Sequence, residues 1–282
     1  LHDALPIFQN EEKGVTALIE AVPKARAGDP GLALDRFIWR MKRDLYDDAL
    51  PLILDRSASA DLLGRPEAWA ERRATLTRWL MRQGRASEAY KVAAMHHLPV
   101  GAGTSAYADL EFLAGFVALR RLDDPATALT HFQHLLAGVT TPISLARAHY
   151  WIGRAQEAAG QDPKASYTAA AAHQTAYYGL LASERLGLPL DAGLLTASRA
   201  PDWQGAGWRQ SSVMQAVDLL LQAGDRTLAK RFLLHLAESQ DETGLAQMAD
   251  MVLDWDEPHL AVLLGKAAAE RGLILPAAYY PV

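Results

Sequence analysis

A short helix–turn–helix signal recurs along this 282-residue sequence and constrains its fold more than any other feature. Each copy has an apolar helix end, a tight turn at Gly or Asp, and an Ala five residues beyond the turn residue. The pairs are Asp44 and Ala49, Gly84 and Ala89, Asp123 and Ala128, Gly160 and Ala165, Gly224 and Ala229, and Asp256 and Ala261. A small side chain at that point lets two antiparallel helices approach closely, and such helix pairs bury their apolar faces by stacking on one another.

The segments between these turns have the apolar periodicity of α-helices, and none alternates as a β-strand would. Helices are expected to start where Asp or Thr precedes Pro and to end at Gly. The starts are Asp124-Pro125, Thr141-Pro142 and Asp162-Pro163, and the ends are Gly84, Gly160, Gly187, Gly224 and Gly272. We therefore predict an all-α protein, built as a right-handed α-superhelix (solenoid) of tetratricopeptide-like antiparallel helix pairs. The alternative is a non-repeating helical bundle.

The chain divides into four expected segments. Residues 1–7 translate in frame from a sequencing adapter, so we expect them to be non-native and the chain to be a fragment of a longer gene. Residues 8–187 are predicted to form the helix-pair array. Residues 188–208 are rich in Pro and Gly and predict a connector. Residues 209–282 are predicted to form a C-terminal helical linker region.

Composition and charge exclude several classes of protein. The 28 Lys and Arg against 33 Asp and Glu give a net charge of −5, which argues against a nucleic-acid partner. Half of the residues are hydrophobic, so intrinsic disorder is excluded. Cys is absent, which rules out disulfides and thiol chemistry. No apolar run is long enough to predict a transmembrane segment.

Two patterns that suggest a ligand are better explained by structure. The run 101–106 matches a loose dinucleotide fingerprint, but its helical context predicts an inter-helix turn. His131 and His134 lie three residues apart and could share a metal, yet no carboxylate follows one turn away, so we interpret them as solvated or capping residues. His96 and His97 are adjacent and point in different directions. The sequence therefore predicts neither a metal site nor a cofactor.

The carboxylates and the aromatic residues give weaker signals. Asp47-Asp48 and the pair Asp254 and Asp256 lie at expected helix ends or turns, where acidic residues are common, so they predict no catalytic pair. The aromatic residues concentrate in one third of the chain, as Tyr150-Trp151, Tyr167 and Tyr177-Tyr178. Such rings can stack on sugars or anchor peptides, but at helical spacing packing between repeats is favoured.

Residues 142–187 carry a resemblance to a known family. They contain Tyr150-Trp151-Ile152-Gly153-Arg154-Ala155 and, further on, Tyr177-Tyr178-Gly179-Leu180-Leu181-Ala182. With Glu111-Phe112-Leu113-Ala114-Gly115 upstream and residues 275–282 downstream, this order strongly resembles the superhelical region of soluble lytic murein transglycosylases. The resemblance implies a periplasmic parent protein that cleaves the bond between N-acetylmuramic acid and N-acetylglucosamine. It also implies that one catalytic Glu forms a 1,6-anhydro ring without metal or cofactor.

The chain departs from that family where catalysis would begin. The family's Glu-Ser motif, followed at some distance by Gly-Leu-Met-Gln, is missing. Glu238-Ser239 stands too close to residues 244–248 to replace it, and we interpret Glu238 as a helix-surface residue. We therefore expect a non-catalytic chain, truncated before the catalytic domain, that helps to position glycan strands.

The resemblance also implies partners, namely peptidoglycan strands and the C-terminal catalytic domain of the parent chain. The candidate contacts with glycan or stem peptide are Tyr150, Trp151, Arg154, Tyr177 and Tyr178. Arginines on the helices could pair with stem-peptide carboxylates or face the solvent. They are Arg72, Arg73, Arg78, Arg82, Arg85, Arg147 and Arg154. The alternative function is a stand-alone helical-repeat scaffold that binds other proteins.

Overall fold

A computed structural model describes residues 22, 23, 26, 28–195, 200 and 202–280. Of these residues 72% are helical, in sixteen α-helices and one 3-10 helix, and none is in a strand. The predicted all-α class is thus confirmed. The described residues form two compact units: unit 1 comprises those up to residue 140 and residues 151–165, and unit 2 comprises residues 141–150 and those from residue 166 onward.

The helices of unit 1 are α1 (Pro30–Lys42), α2 (Tyr46–Arg56), α3 (Ala60–Leu63), α4 (Pro66–Arg82), α5 (Ala86–Ala94), α6 (Ser105–Arg121) and α7 (Pro125–Ala137). Two helices, α8 (Pro142–Ala158) and α9 (Lys164–Ala171), contribute residues to both units. The helices of unit 2 are α10 (Tyr177–Leu186), α11 (Ala192–Leu195), the 3-10 helix Gly207–Gln210, α12 (Ser212–Gln222), α13 (Arg226–Glu238), α14 (Glu242–Asp254), α15 (Pro258–Glu270) and α16 (Pro276–Tyr279).

All six predicted turn residues adopt the left-handed backbone conformation. The Gly turns at 84, 160 and 224 have φ of 75°, 70° and 80°, and the Asp turns at 44, 123 and 256 have φ of 57°, 53° and 57°. Among residues with a side chain, Asp tolerates this region better than most. The prediction that Gly and Asp play the same part in these turns is confirmed.

The prediction that an Ala packs between helices five residues after each turn agrees with burial at five positions and is wrong at one. Ala49, Ala89, Ala128, Ala229 and Ala261 are fully buried. In each case the Ala is the fourth residue of a helix that begins two residues after the turn. Ala165 is exposed because Asp162-Pro163 delays the start of α9 to Lys164. The fourth position of α9 is therefore Tyr167, which is only 2% exposed.

The predicted helix starts agree with the structure. Asp124 precedes α7, and its carboxylate accepts a hydrogen bond of 3.0 Å from the Thr127 amide. Asp162 accepts one of 2.9 Å from the Lys164 amide at the start of α9. Helix α8 begins at Pro142, directly after Thr141. The carboxylates of Asp124 and Asp162 thus satisfy amide groups that have no partner inside the helix.

A buried arginine lies in the core of unit 1. Arg73 of α4 is fully buried and donates hydrogen bonds of 2.7 Å to the Val92 carbonyl and of 2.7 Å to the Ser57 hydroxyl. Val92 lies in the last turn of α5, and Ser57 directly follows α2, so the cation meets the negative ends of two helices. Burial lowers the pKa of Arg73 to about 9.

The core of unit 2 is formed by its last helices. Met214 of α12, Leu233 of α13, Met248 of α14 and Leu264 of α15 all lie in one buried apolar cluster. The short helix α16 packs closely on α15, since a Cβ at Gly265 would come within 2.9 Å of the Tyr279 amide nitrogen. Most residues between 209 and 280 lie in helices.

Other expectations about segments have mixed outcomes. Residues 1–7 lie outside the described residues, so the adapter hypothesis stays a prediction. The predicted connector, residues 188–208, contains α11 and the start of the 3-10 helix in its described part. The run 101–106 includes turn residues at Gly101 and Gly103, with φ of 73° and 65°, which confirms the inter-helix turn. None of the helices in the described ranges has the length and apolarity needed to cross a membrane.

Gly179 is predicted to be essential for packing at the start of α10. A Cβ added there would overlap the carbonyl oxygen of His173, a backbone atom that cannot rotate away. Ala is the better helix former by about 1 kcal/mol, but overpacking against backbone costs more. We expect Gly179→Ala to lower the free energy of unfolding by about 2 kcal/mol in urea denaturation.

Gly205 provides the matched control, because it lies in a turn with no atom within 4 Å of an added Cβ. Gly205→Ala should change the free energy of unfolding by less than about 0.5 kcal/mol. If the Gly179→Ala protein is as stable as the original chain, then Gly179 does not lie as close to the His173 carbonyl as described.

Candidate functional site

The five candidate contact residues belong to two units of the fold. Trp151 and Arg154 belong to unit 1, whereas Tyr150, Tyr177 and Tyr178 belong to unit 2. Each group therefore has to be assessed within its own unit.

Trp151 is part of an aromatic core in unit 1. Its side chain is 8% exposed, and its ring centroid lies 5.2 Å from that of Phe116 and 5.8 Å from those of Phe112 and Phe132. The Arg154 guanidinium lies 5.9 Å from the centroid of the Trp151 ring. Trp151 therefore packs, as the preferred interpretation of the aromatic residues holds, and offers little surface to a ligand.

The tyrosines of unit 2 form a second group, the tyrosine cluster, made of Tyr150, Tyr167, Tyr177 and Tyr178. The ring of Tyr150 lies 5.7 Å from that of Tyr167 and 5.3 Å from that of Tyr178. Tyr150 and Tyr167 are buried, whereas Tyr177 is 68% exposed and packs edge-on against Tyr178 at 5.2 Å. The exposed Arg185 guanidinium lies 5.9 Å from the Tyr150 centroid and 5.5 Å from that of Tyr167.

The tyrosine cluster thus leaves the Tyr177 ring largely exposed, and the exposed Arg185 lies against two of its buried rings. An exposed ring can stack on the apolar face of a sugar, and a guanidinium can bind a carboxylate. Sequence analysis named Tyr177 but missed Arg185. The available signal was its spacing of eight residues from Tyr177, which is about two helical turns.

Several arginines proposed to meet stem peptides already have other partners. Arg73 is buried, so for this residue the prediction is wrong. Arg78 forms an ion pair of 2.7 Å with Asp109. Arg85 pairs with both Asp47 and Glu88, and these hydrogen bonds raise its pKa.

The carboxylates dismissed as catalytic groups lie where sequence analysis expected them. Glu238 is the last residue of α13, exposed, and 3.3 Å from the His235 ring. Asp47 and Asp48 lie in the first turn of α2, and Asp254 ends α14. The first turn of a helix favours acidic side chains, which accounts for Asp47 and Asp48, whereas Glu238 and Asp254 lie at the C-terminal ends of their helices.

The most unusual polar group is the Glu111 cluster of unit 1, made of Glu111, His96, His131 and His134. Glu111 lies on α6 and is 3% exposed. Its carboxylate oxygens lie 2.7 Å from His131 Nδ1, 3.1 Å from His96 Nε2 and 3.6 Å from His134 Nδ1. One buried carboxylate therefore meets three imidazoles.

Local backbone structure brings the three histidines to Glu111. His131 and His134 are three residues apart on α7, so they share the face that packs on α6. His96 lies in the loop after α5, and the left-handed conformation of His97, with φ of 54°, turns the chain directly after it. The His97 ring is itself fixed by a hydrogen bond of 2.8 Å to the Ser57 carbonyl.

Hydrogen bonds determine which ring nitrogen of His96 carries the proton, and they also lower the pKa of Glu111. His96 Nδ1 accepts from the Leu98 amide at 2.9 Å, so Nε2 carries the proton that it donates to Glu111. His131 Nε2 lies 3.1 Å from the Tyr90 hydroxyl. Burial acts to raise the pKa of Glu111, but hydrogen bonds from His131 and His96 outweigh it and lower the pKa from 4.5 to about 2.

The structure corrects the interpretation of His131 and His134. They were expected to be solvated or capping, with no carboxylate near, but both approach Glu111, which lies 20 residues before His131. The carboxylate lies on the preceding helix, which the spacing of residues within α7 does not reveal. The available signal was Glu111 itself, a charged residue within the otherwise apolar run 110–115.

Unit 2 also contains an open cleft of about 450 Å³ beside Trp255. Its charged residues are paired: Arg209 with Asp218 at 2.7 Å and Glu257 with Arg226 at 2.8 Å. The Arg209 guanidinium also lies 5.4 Å from the Trp255 ring centroid. These pairs already satisfy the charged groups of the cleft.

Comparison with known proteins adds no relative. No family model, no curated protein and no solved structure matches this chain. Any functional proposal therefore rests on the residues and their geometry.

Neutralising Glu111 is predicted to destabilise unit 1 in a pH-dependent way. Its folded-state pKa is lowered, so the stability that the carboxylate contributes is complete above about pH 4.5 and is lost as the pH falls towards 2. We expect Glu111→Gln to lower the free energy of unfolding by about 2 kcal/mol at neutral pH. The difference from the original chain should shrink below about pH 4 in urea titrations.

Asp109 of the same helix offers the control, since it pairs with Arg78 in a partly exposed ion pair. Asp109→Asn should cost less than about 1 kcal/mol. A Glu111→Gln deficit that stays constant from neutral pH to about pH 3 would contradict the role given to the charge.

Proposed function

We propose that this chain is the non-catalytic superhelical part of a periplasmic lytic murein transglycosylase, and that it binds peptidoglycan strands and positions the catalytic domain. The parent enzyme would cleave the bond between N-acetylmuramic acid and N-acetylglucosamine with formation of a 1,6-anhydro ring. The order of the two tyrosine-containing motifs along residues 142–187 supports this proposal. The all-α fold is compatible with a right-handed superhelix of antiparallel helix pairs.

The glycan-binding part of the proposal depends on one observation, the exposure of Tyr177. A tyrosine that is 68% exposed at the edge of a buried tyrosine cluster leaves its ring face open to a sugar. The exposed Arg185, whose guanidinium lies 5.5 Å from the Tyr167 ring centroid, adds a positive charge at the same tyrosine cluster. Peptidoglycan combines sugar rings with peptide carboxylates and therefore matches both groups.

The packing of the tyrosine cluster gives this surface its rigidity. Tyr178 contacts the buried Tyr150 ring, and the close approach of Gly179 to the His173 carbonyl fixes the start of α10. A side chain that is held in place before binding loses less conformational entropy when a ligand arrives. Within the motif Tyr177-Tyr178-Gly179, the second and third residues thus pack against the rest of unit 2, and the first exposes its ring.

We expect removal of the exposed ring to weaken binding to peptidoglycan. Purified sacculi should co-sediment with the chain, and Tyr177→Ala should weaken this binding about 3- to 10-fold. The control is Tyr280→Ala, because Tyr280 is 51% exposed and also packs edge-on against a neighbouring tyrosine at 5.2 Å. Failure of the original chain to bind sacculi, or an equal loss in both variants, would refute the glycan contact at Tyr177.

The chain by itself is predicted to release no 1,6-anhydromuropeptides from sacculi. The Glu238-Ser239 pair is the sole Glu-Ser sequence in the chain, and Glu238 is exposed beside His235. A carboxyl group that acts as a general acid is instead shielded from water. Chromatography of digests, with an active transglycosylase as positive control, would detect the products, and their appearance with this chain would show it to be catalytic.

A further inference from the structure

The Glu111 cluster has the donor atoms of a metal centre. One ligand atom from each of Glu111, His131 and His134 lies within 4.8 Å of the other two. Two imidazoles and one carboxylate form a ligand set found in catalytic zinc sites and in iron sites with open positions. The three groups come from two helices that pack together, α6 and α7.

The spacing of these atoms fits a small ion with little movement. Zinc binds nitrogen and oxygen at about 2.0–2.1 Å, so neighbouring ligands of a tetrahedral site lie about 3.3 Å apart. His131 Nδ1 lies 2.7 Å from one Glu111 oxygen, and His134 Nδ1 lies 3.6 Å from the other. The first distance is shorter than the tetrahedral spacing and the second is longer. An ion could therefore replace the proton that His131 shares with Glu111.

Two further residues act as supports for the ligands rather than as ligands. His96 Nδ1 accepts the Leu98 amide, so its Nε2 carries a proton and donates to Glu111. The Tyr90 hydroxyl oxygen lies 3.1 Å from His131 Nε2 and can accept a hydrogen bond from the Nε2–H group when Nδ1 is bound to a metal. Metal ligands are commonly oriented by hydrogen bonds of this kind.

The cluster is open to the solvent on one side. The side chains of Glu111, His131 and His134 are 4%, 13% and 40% exposed. An ion could enter past His134, and a water molecule could occupy the fourth coordination position there. The buried carboxylate at the other end supplies negative charge for a divalent cation.

We propose that Glu111, His131 and His134 bind one divalent transition-metal ion, zinc by the nature of the donors, and so join α6 to α7. His96 and Tyr90 are positioning residues in this site. The proposal does not depend on the peptidoglycan function, because it concerns other residues in the other unit.

The test uses the full chain, purified without a polyhistidine tag and stripped with a chelator. Calorimetric titration with Zn²⁺ should show one ion per chain, and Co²⁺ should produce visible absorption bands typical of low-coordinate nitrogen and oxygen ligands. His134→Ala should weaken Zn²⁺ binding at least about 10-fold. Because His134 is partly exposed, this variant is expected to fold, and circular dichroism checks that it does.

A matched control exists on the surface of unit 2. His235 lies 3.3 Å from Glu238 on the same helix, a histidine–carboxylate contact that belongs to no cluster of three such groups in the described chain. His235→Ala should leave the affinity for Zn²⁺ unchanged. Tyr90→Phe should weaken it about 10-fold with the stoichiometry kept, because only the support of His131 is lost.

Two results would overturn the proposal. One is the absence of binding by the stripped chain at Zn²⁺ concentrations up to about 1 mM. A site with three protein ligands should have a dissociation constant well below that concentration. The other is binding that His134→Ala leaves intact. Either result would leave Glu111 and its histidines as a hydrogen-bonded core cluster without a metal.

Discussion

The close approach of successive helices at a buried alanine is the constraint on which most of this structure depends. A turn residue with positive φ stands two residues before the next helix, and the fourth residue of that helix is then buried. At five of these positions a fully buried Ala leaves room for close packing. A larger side chain would force the helices apart or leave its own rotamer minimum.

The exception at α9 is informative because it joins the fold to the candidate glycan surface. Asp162-Pro163 lengthens the connection after Gly160, and Tyr167 takes the position that Ala holds elsewhere. Its ring packs against Tyr150, which in turn contacts Tyr178 beside the exposed Tyr177. The departure from the repeat therefore creates the tyrosine cluster.

Sequence reasoning succeeded where the signal is local. The left-handed turns, the capping residues at 124 and 162 and the helical class all follow from neighbouring residues, and all agree with the structure. It failed at Ala165, because a fixed count of five residues does not detect a longer connection. It also missed the Glu111 cluster, whose members come from three segments that only tertiary packing brings together.

Glu111 and Arg73 are two buried charges in unit 1, and each is stabilised in a different way. Arg73 binds the carbonyl of one helix end and the hydroxyl beside another, without a carboxylate. Glu111 instead depends on hydrogen bonds with the imidazoles of His96 and His131. A buried ionic group commonly makes the folded state less stable than an apolar residue of similar size would, because the charge loses its hydration. Such a group therefore needs partners that are held in fixed positions. In unit 1, helix ends stabilise the cation and histidines stabilise the anion. Of these partners, only the histidines carry ring nitrogens of the kind that bind transition-metal ions.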